Sequence, residues 1–121
     1  MSTPAVDVKS VLPLTPAVFH ILLALAEGER HGYSIIKEVN LRTDGAVRLG
    51  PGTLYRSIKQ LLADGWIVES EERLDPGDDQ RRRYYQLTDL GRRIAAAEAQ
   101  RFSDLVMLAR SRNLLPALGP A

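Results

Sequence analysis

The residues best suited to chemistry in this chain are basic and amidic, and their spacing is helical. Arg56, Lys59 and Gln60 lie three and four positions apart, with Gly52 and Thr53 about one turn earlier. At about 100° per residue they share one side of a helix, opposite a stripe of Leu54, Ile58, Leu61 and Leu62. The polar side has small residues at its edges, positive charge in its middle and no carboxylate. That suits insertion into a DNA major groove, where Arg and Gln reach base edges and Lys reaches phosphates. Glycines at 50 and 52 let backbone amides approach phosphate oxygens closely. Taken alone, the same pattern also describes an amphipathic helix with a solvated polar face.

A second basic feature is the run Arg81, Arg82 and Arg83. At the base of a β-hairpin these side chains would meet a phosphate backbone or a minor groove. Glu69, Glu71, Glu72, Asp75, Asp78 and Asp79 lie close in sequence, so pairing within the hairpin is the competing reading. Tyr33 and Tyr55, each near a helix start, either offer a hydroxyl to phosphate or fill core; Tyr55 borders the apolar stripe and inclines to packing. Trp66, Tyr84 and Tyr85 read as hairpin packing.

Other chemistry finds little support. The two histidines, His20 and His31, lack metal partners at helical spacing, and there is no cysteine. His20, on an apolar helix, reads as a core or interface residue. Nucleophile-elbow, P-loop and dinucleotide-binding motifs are absent, so neither catalysis nor a cofactor or metal is expected. Sixteen Lys and Arg against fifteen Asp and Glu give a net charge of only +1, so a nucleic-acid role must rest on where the charges sit. No signal peptide or membrane-spanning stretch is evident, which makes a cytoplasmic protein the expectation.

The elements that must position these residues follow from period and punctuation. At 121 residues and 45% hydrophobic content the chain suits one small domain with an appended arm. Residues 1–13 read as a flexible tail. Thr15 and Pro16 start an apolar helix to about residue 27, stopped by Gly28. A second helix is expected over 32–41, a short strand over 46–49 and a third helix over 53–63. Strands over 66–71 and 83–88 flank a turn at 75–79, and a long helix runs from 89 to about 114. Residues 14–88 then form a winged helix-turn-helix DNA-binding domain, 89–115 a dimerisation helix and 116–121 a tail. The fold class is mainly α with a small β-hairpin.

Four stretches, in order and spacing, resemble the PadR family of bacterial transcriptional regulators. They are Leu14-Thr15-Pro16 with the helix at 21–25, His31-Gly32-Tyr33-Ser34-Ile35-Ile36, Gly50-Pro51-Gly52-Thr53-Leu54-Tyr55-Arg56, and the segment from Arg83 to Gly91. With one further helix, the chain resembles the short subgroup. The resemblance implies a homodimeric repressor, often acting near its own gene, sometimes released by a small apolar or aromatic effector. It departs from the family in its acidic wing loop and in the lack of a tryptophan in the last helix.

That helix carries two apolar stripes, Leu90, Ile94, Ala97, Leu105, Leu108 and Ala95, Ala99, Phe102, Val106, Ala109. Two stripes exceed what one small domain needs, and uncovered they would mark an interface. Phe19, Leu22, Ile94, Phe102, Leu105, Val106 and Ala109 are the candidate dimer contacts. A cavity between protomers near Phe102 and Met107 would suit a flat apolar compound. The expected partners are double-stranded DNA with a pseudo-palindromic operator, a second copy of the chain and such an effector, with no membrane. The alternative is a winged-helix module that binds protein instead of DNA.

Overall fold

The computed structural model describes residues 7–74 and 81–118. Thr15 caps the first helix, α1 (Pro16–Ala26): its hydroxyl accepts the Val18 amide at 3.2 Å, and Pro16 occupies the first turn, where a missing N–H costs nothing. A two-residue strand, β1 (Arg30–His31), leads into α2 (Gly32–Arg42), and a loop leads to α3 (Pro51–Ala63). Strands β2 (Ile67–Glu69), β3 (Arg73–Leu74), β4 (Arg81–Arg82) and β5 (Tyr84–Leu87) form the wing, and α4 (Asp89–Ser111) follows.

β5 is the centre of a sheet ordered β1-β5-β2, with His31 opposite Tyr84, and Ile67 opposite Leu87. β3 and β4 pair separately, Arg73 opposite Arg82. The turn expected at 75–79 lies outside the described residues.

The core draws Ile21, Leu22 and Leu25 from α1, Ile35 and Val39 from α2, and Leu54, Ile58 and Leu61 from α3. Ile67, Tyr85, Ile94 and Ala95 close it from the sheet and α4. The amphipathic stripe of α3 is therefore the buried one, which fixes its opposite face outward.

Four expectations need correction. Residues 46–49 form no strand; a loop delivers Leu49, 2% exposed, into the core, and the additional strand is β1. α3 begins at Pro51, two residues sooner than expected, because proline suits the first helical position. α4 ends at Ser111: Asn113 takes φ 63°, and the Leu114 amide returns to Ala109 O at 2.9 Å, the closing bond of a Schellman motif. Residues 7–13 are no loose tail, since Val8–Val11 forms a 3-10 turn and Val8, Val11 and Leu12 pack on the core.

Glu98 anchors that segment. Its side chain is fully buried on α4, accepts the Leu14 amide at 2.7 Å and pairs with Arg101. The Arg101 hydrogen bond, aided by the Leu14 amide and opposed by burial, holds its carboxyl below the ordinary glutamate range. A depressed carboxyl stabilises the fold above its unfolded value and loses that contribution as pH falls through the folded one. Glu98→Ala should lower stability by about 1–3 kcal/mol through the orphaned Leu14 amide alone. Glu98→Gln keeps an acceptor and should cost less. Its gap in melting temperature from the parent chain should narrow below about pH 4; a gap independent of pH would show that the charge of Glu98 contributes nothing.

Candidate nucleic-acid interface

The outward side of α3 is built from Gly52, Thr53, Tyr55, Arg56, Lys59 and Gln60, all exposed. A Cβ placed on Gly52 would meet nothing within 4 Å, so the fold itself does not require glycine there. An outside body approaching the backbone would. Gln60 differs from the rest. Its amide donates to both carboxylate oxygens of Asp64, at 3.0 and 3.1 Å, and so is held toward the C-terminal end of the helix.

α2 meets α3 through a glycine. A Cβ on Gly32 would lie 2.8 Å from the Tyr55 hydroxyl and 3.1 Å from Leu54 Cδ2. Tyr55 therefore packs along α2, the packing role considered for it, while 52% of its surface stays exposed. His31 caps α2: its Nδ1 accepts the Ser34 amide at 3.1 Å, and its ring meets Tyr84 edge-on at 5.4 Å. This buried histidine thus serves as a helix cap.

The wing base comes against this corner. The Arg82 guanidinium lies 5.4 Å from the centre of the Tyr33 ring, and Lys37 Nζ lies 5.8 Å from it. Tyr33 is 52% exposed and joins two cations from different elements, each contact worth about 0.5–1 kcal/mol at such a site. The wing base, the start of α2 and Tyr55 of α3 enclose a polar concavity of about 210 Å³. Arg81 and Arg83 are partly answered by carboxylates: Arg81 Nε lies 3.7 Å from Glu72, and Arg83 Nε lies 3.4 Å from Glu69. Lys37 is the residue that sequence reasoning missed. It lies four positions after Tyr33 on α2, a spacing at which helical side chains meet.

The dimer candidates separate into two groups. Leu22 and Ile94 are wholly buried in the protomer's own core and offer a partner no surface, which corrects their assignment. Phe102, Leu105 and Val106 are 45%, 48% and 40% exposed, and Ala109 is half-buried. Phe19 stacks on Phe102 of the same chain, centroids 5.4 Å apart, so the two form one aromatic step where α4 leaves the domain. Met107 and Leu108 extend the apolar surface. Among the described residues no His, Cys, Asp or Glu cluster could hold a metal ion, and no helix is long and apolar enough to cross a membrane.

Three helices, a wing and a basic outward helix face define a winged helix-turn-helix protein. The profile of the PadR-like family of transcriptional regulators matches residues 21–97, and the chain belongs to that family. It is 35% identical over 86 residues to transcriptional regulator Rv3488 of Mycobacterium tuberculosis, covering 71% of this chain and 75% of that protein. It is 31% identical over 93 residues to the uncharacterized protein X of Lysinibacillus sphaericus, covering 72% and 84%. A PadR family transcription regulator from Clostridium difficile has the same fold, with a TM-score of 0.65 at 21% identity over 80% of this chain and 97% of that one. A transcriptional regulator from Clostridium thermocellum gives 0.59 at 24% identity over 95% and 100%. The chain is a transcriptional regulator and not an enzyme.

Proposed function

We propose that this regulator is a homodimeric, sequence-specific repressor working in the cytoplasm. It binds a pseudo-palindromic operator in double-stranded DNA and is released by a small apolar effector. The observation that carries the reading is the exposure of Thr53, Arg56 and Lys59 on the one face of α3 that its core stripe leaves outward. α3 enters the major groove, Arg56 reads a base edge, and Lys59 meets phosphate. Tyr33, Lys37 and Arg82 lie along the flanking backbone, and Arg81 and Arg83 add charge to the extent that Glu72 and Glu69 release them. A second protomer covers the apolar half of α4 and presents its own α3 to the second half-site, roughly one helical turn of DNA away.

Titration of the operator and of random DNA across a salt series tests the division of labour. Arg56→Ala should cost about 1–3 kcal/mol on the operator and much less on random DNA. Arg82→Ala should weaken both alike and make the salt slope shallower by about one contact. Equal losses on both DNAs for Arg56→Ala would make Arg56 a phosphate clamp and displace the recognition face. The ion pairs at Arg81 and Arg83 favour a second reading, a winged-helix module that binds protein. Absence of any salt-dependent DNA binding would move that reading ahead.

A further inference from the structure

We propose that the polar concavity between the start of α2, Tyr55 and the wing base is a seat for one backbone phosphate of DNA, with the Tyr85 hydroxyl as its innermost donor. This seat rests on the DNA-binding reading above and adds to it a contact that reads no sequence. At about 210 Å³ the concavity is smaller than the roughly 300–1,000 Å³ usual for drug-sized ligands, so a single tetrahedral oxyanion suits it. Among the described residues no carboxylate lines it, and the wing base contributes arginines.

Tyr85 is the decisive group. It is 4% exposed, and its ring belongs to the core. Its hydroxyl nevertheless makes no hydrogen bond among the described residues. No wholly buried side-chain oxygen or nitrogen among them lacks a partner, so this hydroxyl reaches the concavity that Tyr85 helps to line. Polar groups so far from bulk solvent are ordinarily paired within the protein, and an unanswered one at the floor of a cavity points to a partner from outside. Burial first, then the Glu69 carboxylate and Tyr55, push the phenol above its ordinary range, with Arg83 opposing. It stays protonated at neutral pH and donates to an anion.

The surroundings of that hydroxyl favour an oxyanion. The Tyr55 hydroxyl stands over Gly32, the first residue of α2, 2.8 Å from where a Cβ would lie. The first turn of α2 offers amides that no helical bond uses, together with the positive end of the helix dipole. His31 Nδ1 takes the Ser34 amide of that turn. Arg83 Nε lies 3.4 Å from Glu69, an exposed pair of the weakly held kind, so an arriving phosphate takes the guanidinium over. One phosphate then joins α2, α3 and the wing, and sets how α3 enters the groove.

Because the seat is blind to sequence, titration of the full chain with random duplex DNA across a salt series tests it. Tyr85→Phe keeps the ring and removes only the hydroxyl. Its melting temperature should be no lower than the parent's, while affinity falls about tenfold through loss of a hydrogen bond to a charged group. The salt slope should stay unchanged, since a neutral hydroxyl releases no counterion; Arg83→Ala should make it shallower by about one contact. Tyr55→Phe, on an exposed helix face, should repeat the Tyr85→Phe result, and Glu69→Gln should tighten binding by freeing Arg83. Unchanged affinity in both tyrosine variants overturns the proposal, as does a loss of affinity that comes only with a lower melting temperature, which marks Tyr85 as packing alone. Inorganic phosphate at constant ionic strength should compete with DNA no better on the parent than on Tyr85→Phe; stronger competition on the parent would give the seat to a free anion and overturn the assignment to DNA. A parent chain that binds no DNA sinks the repressor reading and the seat together, whereas DNA binding indifferent to both hydroxyls sinks only the seat.

Discussion

Phe102→Arg is expected to leave the protein monomeric at concentrations where the parent chain dimerises, with operator affinity lower by about 10²–10⁴-fold. The first half of α4 is held by its own domain: Ile94 and Glu98 are fully buried. From Phe102 onward the helix leaves that support, and Leu105, Val106, Met107 and Leu108 are each at least 40% exposed. An apolar strip of that length on one helix marks an interface. Placing a guanidinium at its start removes the stack on Phe19 and buries an unpaired charge in any complex, which costs several kcal/mol. A monomer engages one half-site, and losing the linked second site forfeits an effective-concentration advantage of about 10²–10⁴. Phe102 lies at the margin of the protomer, so the monomer should remain folded. Analytical ultracentrifugation beside a thermal melt reads both quantities, and an intact dimer carrying Phe102→Arg would remove α4 as the interface. Ending the chain after Gln100 is the harsher version, expected to give monomer or insoluble protein.

Gly91→Ala should destabilise the protein by about 3 kcal/mol or more, or prevent folding. A Cβ at position 91 would lie 1.9 Å from the Trp66 carbonyl oxygen, a backbone atom that cannot swing aside. That oxygen accepts the Thr88 amide at 3.1 Å, while the Thr88 hydroxyl donates to Gly65 O at 2.7 Å and accepts the Gly91 amide at 3.0 Å. Relieving the clash means moving the start of α4 off β2 and breaking this cap, a cost beyond ordinary overpacking. Gly52→Ala is the contrast. With open space around it and a helical position to occupy, it should leave stability unchanged or slightly higher, yet weaken DNA binding if phosphate passes close to the backbone. Melting temperatures and operator titrations of the two variants separate a glycine the fold needs from one a ligand needs. A Gly91→Ala protein as stable as the parent would show that the junction yields easily.

Much of this was legible in the residues. Thr15-Pro16 announced a helix start, Leu54, Ile58 and Leu61 announced which side of α3 is buried, and the apolar runs on either side of the wing announced β2 and β5. These are local signals, set by capping chemistry and by periods of 3.6 and 2, and local physics suffices to read them.

What failed was whatever depends on a distant partner. Residues 46–49 alternate like a strand, but a loop that drops Leu49 into the core satisfies the same pattern, and no neighbour offers a ladder there. β1 is two residues long, too short to show a period, and exists because Tyr84 and Tyr85 present their backbone opposite it. For the run 81–83 the sequence left pairing with nearby carboxylates open without saying which cation meets which; β-pairing sets Glu72 beside Arg81, Glu69 beside Arg83 and the Tyr33 ring beneath Arg82. Along α4 one apolar stripe repeats at every turn and the other is broken only at Arg101, so nothing in the apolar residues themselves distinguishes Ile94 from Leu105. The sequence determined that the helix is apolar on two sides; the tertiary structure decided which half its own domain covers. The physical reason is that burial belongs to the packed arrangement of elements, and a helix longer than the domain beneath it leaves its far turns exposed, whatever their sequence.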